Sequence, residues 1–282
     1  MLYKFKSIIT QYILPPQIKK LVTRYLFSSK SWHFKGNYSS WEEVATISTG
    51  YSDQAILSKV LDSTNKVVQG EAAFERDGKV FKKEDYSWPF LSNLLWIAAL
   101  KHGNLKVLDF GGALGSTYNQ NKKYFDKLNV KWNIVEQKNY VLIGNENFKS
   151  DKLNFYFDIS SSLKQNNIDI ALFSGVLEFL PDPYEKIQDI IDSDIEFIII
   201  DRSAFLKKTH DYGQDKFTVQ HINNEIFPAT LPFRFISMKK VHKLLLDHGY
   251  EIHQEYCSIG GEGASWEFKG LVASRNKDKN YV

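Results

Sequence analysis

A single cysteine, Cys257, stands in 282 residues. An intrachain disulfide is therefore excluded, and so are cysteine-rich zinc sites; no metal centre is expected. That scarcity fits a reducing compartment. Nowhere does the chain reach the ~20 uninterrupted apolar residues of a membrane-crossing helix. Its opening, MLYKFKSIITQYILPPQ, lacks the long apolar stretch and small-residue cleavage site of a secretory leader, so a cytoplasmic protein is expected. Acidic residues are missing before Glu42, whereas seven Lys/Arg precede it, which leaves the rest of the chain net acidic. The overall charge of +3 is too small to argue for a nucleic-acid partner, and none is expected. Internal repeats and low-complexity tracts are lacking too. What is present, 43% hydrophobic and 15% aromatic residues, suffices for one sizeable core and a smaller appendage.

Four segments follow from the patterning. Residues 1–30 alternate apolar and basic positions in a helical rhythm broken by Pro15-Pro16. Such an arm suits peripheral attachment to the inner face of an anionic membrane, or packing on its own domain or a second subunit. Residues 31–103 read as a cap, rich in aromatics and paired charges, followed by a buried leading helix at 86–100 with Pro89 in its first turn. From 104 to 275, short apolar runs alternate with helices. Strands are expected at 105–111, 132–137, 153–159, 168–175 and 197–203, with helices near 116–129, 139–149, 182–193 and 237–249. Strands apolar on both faces and separated by helices indicate a parallel sheet covered on each side. Two last strands, 250–258 and 267–275, are close enough to form an antiparallel hairpin. The fold class expected is α/β, a Rossmann-like, mostly parallel sheet closed by that hairpin. Residues 276–282 read as a frayed tail.

The strongest local signal is Asp109-Phe110-Gly111-Gly112-Ala113-Leu114-Gly115-Ser116. Glycines directly after a strand let the chain turn sharply and a ligand approach the backbone. A pyrophosphate-binding loop would carry G-x-G-x-x-G; here an acid precedes the first glycine and the register of the third is lost. S-adenosylmethionine needs no phosphate cradle. It carries a sulfonium and an ammonium, and Asp109 is placed to meet the latter directly or through a water, with Gly111, Gly112 and Gly115 giving clearance. Glu136, followed by Gln137, closes the second strand, where a carboxylate accepts both ribose hydroxyls. Asp158 ends the third strand, within reach of an adenine amino group, with Ile159 or Ser160 as backbone alternatives. Ser174-Gly175 ends the fourth, where a parallel sheet opens to its ligand crevice.

The order D-x-G-x-x-x-G, an acid ending strand two, and V-L-E-F-L-P-D after strand four resembles class I S-adenosylmethionine-dependent methyltransferases. Two positions depart from that pattern: Ala113 replaces a glycine and Phe179 a histidine. A wider set resembles a group of methyltransferases often encoded among bacterial surface-polysaccharide genes. It comprises G-x-Y-x-S-W-E-E (Gly36 to Glu43), F-E-R-D (Phe74 to Asp77), D-F-G-G-x-L-G-S (Asp109 to Ser116), V-E-Q (Val135 to Gln137) and T-V-Q-H (Thr218 to His221). That resemblance implies a glycan acceptor and O-methylation of a sugar hydroxyl. A lipid or small-metabolite acceptor, a nicotinamide-dependent oxidoreductase and a non-catalytic methyltransferase-like binding protein are the competing readings.

Methyl transfer to oxygen needs an aligned acceptor and usually a base. His210 and His221 are the candidate bases, because imidazole titrates near working pH, with Asp211 or Glu225 to orient one of them. Arg76 and Tyr86 are further candidates: a cap segment with Glu75-Arg76-Asp77 could fold over the cofactor, with Arg76 placed either to hold the methionine carboxylate or to make an ion pair within the cap. Arg202 and Arg234 are candidates for a phosphate or uronate on the acceptor. Cys257 reads as a small buried residue.

Overall fold

The computed structural model describes residues 32–50, 54–222 and 229–275. The basic arm (1–30), Glu225 and the tail (276–282) lie outside the described residues. The chain begins with β1 (Trp32–Tyr38), α1 (Trp41–Thr46) and α2 (Gln54–Val68), then a small hairpin of β2 (Phe74–Arg76) and β3 (Lys79–Phe81). Helix α3 (Trp88–Leu100) leads into an alternating stretch: β4 (Asn104–Phe110), α4 (Ser116–Asn121), β5 (Asn129–Val135), α5 (Lys138–Asn147), β6 (Leu153–Tyr156), α6 (Ile159–Gln165), β7 (Ile170–Ser174), α7 (Pro183–Asp192) and β8 (Phe197–Leu206). After β9 (Lys216–Ile222) and β10 (Thr230–Phe235) come α8 (Met238–Asp247), β11 (Tyr250–Glu262) and β12 (Trp266–Arg275).

Seven strands form the main sheet in the order β11-β12-β8-β7-β4-β5-β6. Pairings from β6 across to β8 are parallel; β12 pairs antiparallel with both β8 and β11. The expected hairpin is present, with β11 running further than 250–258 to Glu262. The other expected strands are present with shifted ends. The third stops at Tyr156 because Asp158 turns the chain into α6, its carboxylate accepting the Ser161 N–H at 2.7 Å.

Alternation along the strands loads both faces with apolar side chains. Val107, Trp132, Ile134, Leu172 and Ile199 pack with Phe90, Leu94 and Ile97 of α3 on one side. Leu108, Phe173, Ile198 and Ile200 pack with Ile187 and Ile190 of α7 and Val241 and Leu245 of α8 on the other. Burial on both sides is what makes these strands near-continuous hydrophobic runs.

A second sheet was not foreseen. β1 pairs antiparallel with β9, and β9 with β10, through contacts such as Phe34 with Gln220 and Leu231 with Gln220. The segment between β8 and α8 thus ties back to the beginning of the described chain. Cys257 is exposed rather than buried; the neighbouring Tyr256 takes the inward position, because the pleat alternates.

Packing of α5 onto β6 yields a test whose sign is diagnostic. A Cβ on Gly144 would lie 2.5 Å from the Phe155 ring. Helix propensity favours Ala over Gly by about 1 kcal/mol. Overpacking of about 1–3 kcal/mol outweighs it. G144A is expected to lower unfolding free energy in urea; a gain would contradict the packing.

Candidate active site

β4 connects to β5 on one side of the sheet, and β7 returns on the other. The carboxyl ends of β4 and β7 therefore diverge and leave a crevice at the point where the strand order reverses. A cavity of about 370 Å³ fills it, roofed by α2 and the β2–β3 hairpin.

The floor is the loop after β4. Gly111 (φ 73°) and Gly115 (φ 94°) take left-handed backbone, and a Cβ on Gly111 would lie 2.4 Å from Val176. Ala113, where the resembling family has glycine, takes φ 50°. Gly111, Gly112, Ala113, Ser116 and Thr117 line the cavity, and Gly115 supplies the turn. Glu136, Gln137, Ser174, Gly175 and Arg76 are on the wall as well.

Asp109 is not. It is 1% exposed beneath Gly112, whose added Cβ would sit 2.6 Å from Oδ2. The Trp132 indole donates to that oxygen at 2.9 Å, while Oδ1 is buried without a hydrogen-bond partner. Its distance from the wall follows from strand alternation: Asp109 shares the face of Val107, where Trp132 also packs. Asp158 likewise stays off the main cavity; with Ile159 and Ser160 it lines an adjoining cleft that shares Phe110, Val135 and Phe157 with it.

Neither histidine lines the cavity. His210 meets the Thr209 hydroxyl at 3.0 Å. His221 lies in β9, stacked on His33 of β1 with ring centroids 4.9 Å apart. Desolvation, then the neighbouring His33 and Lys35 charges, push its pKa down. Asp211 orients no base: it accepts from the Ser237 hydroxyl and the Lys239 and Gly213 N–H groups. Arg234 is taken by Asp215 at 2.9 Å and lies over the Trp41 ring. Tyr86 packs on Tyr124 and Trp88 and is not on the wall.

The sequence alone assigns no individual role to several wall residues. Glu75 bonds the Ser116 hydroxyl and the Gly78 N–H. It arrives through a two-residue turn at Asp77-Gly78, both at positive φ, and Asp-Gly between two short apolar runs is a legible hairpin signal. Tyr140, on the first turn of α5, lines the cavity, and its buried hydroxyl has no hydrogen-bond partner. A lone tyrosine in a helix carries no signal in sequence. Thr117, Gln120 and Phe157 line the cavity as well.

Acids crowd this crevice. Desolvation pushes Glu75 and Asp109 up to about 7, although their hydrogen bonds to Ser116 and Trp132 pull the other way. Half-buried Glu136 is also pushed up to about 7, first by desolvation, with Gln137 and Ala113 backbone bonds opposing and the Asp109 charge adding. Glu178, buried behind the wall, is pushed up to about 8 by desolvation. An orphaned Asp109 oxygen, an orphaned Tyr140 hydroxyl and carboxylates short of countercharge all fit a polar, cationic guest.

Strand order, hairpin and crevice together define a Rossmann-like class I methyltransferase fold. No family model matches the chain, and no curated protein matches it. Among solved structures, one similar chain is the 1,6-didemethyltoxoflavin-N1-methyltransferase of Burkholderia thailandensis, with 1,6-didemethyltoxoflavin and S-adenosylhomocysteine bound. Identity is 15%, coverage 86% of this chain and 100% of that one, and the TM-score 0.44. Magnesium protoporphyrin IX methyltransferase of Synechocystis with S-adenosylmethionine shows 12% identity, coverage of 80% and 99%, and a TM-score of 0.42. A methyltransferase of Methanosarcina mazei shows 15%, 67% and 97%, and 0.44. At these values the likeness says nothing of what this chain binds.

The raised carboxylates set a pH dependence. Between the ordinary carboxylate value of about 4 and about 7, the unfolded chain is ionised while the folded chain keeps these protons. Folding takes up protons there, so stability falls as pH rises. Asp201, also raised by burial, adds to the effect; His221, lowered, opposes it as a single group. The ligand-free protein is expected to melt at a higher temperature at about pH 5.5 than at about pH 7.5. D109N should narrow that gap by stabilising chiefly the higher-pH state; a wider gap would contradict the assignment.

Proposed function

We propose that this chain is an S-adenosylmethionine-dependent methyltransferase that methylates a sugar hydroxyl. One observation carries the cofactor reading: Gly111-Gly112, Glu136 and Ser174-Gly175, from three separate strand ends, converge on one cavity at the switch point. Glu136 would accept the ribose hydroxyls and Gln137 would lie beside the adenine. Arg76 would hold the methionine carboxylate. Asp109 would act from beneath the loop, steering the ammonium by charge or through a water, with Glu75 on the wall facing the same guest. Tyr140 would give its hydroxyl hydrogen to the ligand.

When bound, the cofactor supplies an electrophilic methyl group. The chain's part is alignment: it holds an acceptor oxygen in line with that methyl and keeps water away. With His210 and His221 off the wall, the reading assigns no base to them, and the acceptor proton leaves to solvent or to a lining carboxylate.

For the acceptor, the support is the set of segments that resemble those of the surface-polysaccharide group. Those at 74–77, 109–116 and 135–137 meet at the cavity. Those at 36–43 and 218–221 meet each other, the Thr218 hydroxyl donating to the Gly36 carbonyl at 2.9 Å.

Calorimetric titration with S-adenosylmethionine and S-adenosylhomocysteine is the first test. Binding is expected for the wild type, and E136A should weaken it by about 10- to 100-fold, the loss of roughly 1.5–3 kcal/mol in hydrogen bonds to a charged group. Affinity for the sulfonium should rise with pH through about 7, because a cation favours the ionised carboxylates and binding expels their protons. Absence of binding by folded protein would sink the cofactor reading. Label transfer from methyl-labelled cofactor to a lipid or amine, but to no carbohydrate in a panel of nucleotide-sugars, would sink the sugar reading alone.

A further inference from the structure

Arg202 occupies a position that the chain takes trouble to build. β8 pairs with β12 as Ile200 with Leu271 and Ser203 with Lys269, so Asp201 and Arg202 both oppose Gly270. That two-against-one count is a β-bulge, a device that re-aims a side chain. Arg202 itself takes φ 50°, in the left-handed region that a branched or long side chain seldom enters. The bulge is pinned on its far side by Ser258, whose hydroxyl donates to the Asp201 carboxylate at 2.7 Å and accepts the Arg202 N–H at 3.2 Å. Asp201 is 2% exposed, and its carbonyl accepts the Gly175 N–H at 3.0 Å, which ties the bulge to the end of β7.

The guanidinium reaches the cavity wall across Gly175. A Cβ there would stand 2.6 Å from Nη2 and 3.3 Å from Cζ, so the missing side chain of Gly175 is the space the guanidinium uses. From the roof, Arg76 lines the same cavity, its Nε buried without a hydrogen-bond partner. Asp77, on the same turn, approaches Arg202 at 3.8 Å from an exposed position, at the limit of an ion pair. Backbone strain, a buried acid and a glycine thus combine to present one planar cation midway along β8, level with the end of β7. That position is one strand further from the glycine loop than β7 is.

We infer that Arg202 recognises an anionic group, carboxylate or phosphate, on the methyl acceptor. This rests on the cofactor reading above, which assigns the methionine carboxylate to Arg76 and leaves the β8 side of the cavity to the second substrate. A planar guanidinium matches either oxyanion with two parallel N–H donors, and a lysine cannot reproduce that fork. The acceptor class is accordingly an acidic sugar, one bearing a uronate or a phosphate, rather than a neutral one. Of Arg202 and Arg234, the second is held by Asp215 and only the first lines the cavity.

The test titrates wild type, R202K and R202M, each with and without saturating S-adenosylhomocysteine, against D-glucuronate, glucose 1-phosphate and glucose, followed by ligand-observed NMR. Wild type should bind at least one of the two anions about ten-fold more tightly than glucose. R202M should lose that preference and R202K keep a small part of it, while both bind S-adenosylhomocysteine within about two-fold of wild type, which also reports that they fold. The two anion arms tell a uronate from a phosphate acceptor. Equal affinity for all three sugars, or a preference that survives R202M, would overturn the inference. A ten-fold loss of S-adenosylhomocysteine affinity in R202M would also overturn it by assigning Arg202 to the cofactor. Failure of wild type to bind S-adenosylhomocysteine would remove the cofactor reading instead, and the titrations without it still report whether Arg202 selects anions.

Discussion

The connection from β4 runs to β5 on one side, whereas the chain comes back to β7 on the other, so among the described residues no connection crosses the gap above the ends of β4 and β7. Everything at the site depends on that divergence. The glycine loop can fold back over Asp109 only because the next strand lies to one side, and Gly111 can approach Val176 only because β7 lies to the other. Residues far apart in sequence, such as Glu75, Glu136 and Arg202, share one cavity for the same topological reason.

Concentrating carboxyl groups in a desolvated crevice has a cost to the fold. A buried charge without a partner is unfavourable, and a carboxyl responds by holding its proton. Asp109 and Glu178 each keep one buried oxygen with no hydrogen-bond partner, which a chain selected for stability alone would not retain. Such tension is characteristic of sites arranged for a guest rather than for themselves. On the cofactor reading, the guest that relieves it is a cation.

The roof has a different origin. It comes from the part of the described chain before the main sheet, and it is fastened by side chains rather than by strands of that sheet. Glu75 reaches Ser116 at the first turn of α4, and the Ser63 hydroxyl of α2 holds the Gly78 carbonyl at 2.7 Å. The stacked rings of Phe74 and Phe81 stiffen the hairpin from which Arg76 extends. Roof and floor are thus coupled through the same carboxylate that faces the cavity.

Local pattern determined much of this. Apolar runs such as Phe197-Ile198-Ile199-Ile200 could only be strands buried on both faces, and the glycine-rich turn after β4 together with Glu136 at the end of β5 marked the crevice. Burial on both faces also hides information, because alternation then no longer says which way a residue points; the sequence leaves open whether Asp109 meets a ligand directly or through a water, and the structure puts it beneath Gly112. The sheet of β1, β9 and β10 was illegible for another reason: its pairing joins Phe34 to Gln220 across most of the chain, and no local rhythm encodes a partner so distant. The histidines drew notice for their chemistry, but only the tertiary structure could decide that His221 stacks on His33 and that a bulge opposite Gly270 turns Arg202 inward. Composition and period fix which segments are strands and helices, whereas the direction of a side chain depends on contacts that exist only once the whole chain has packed.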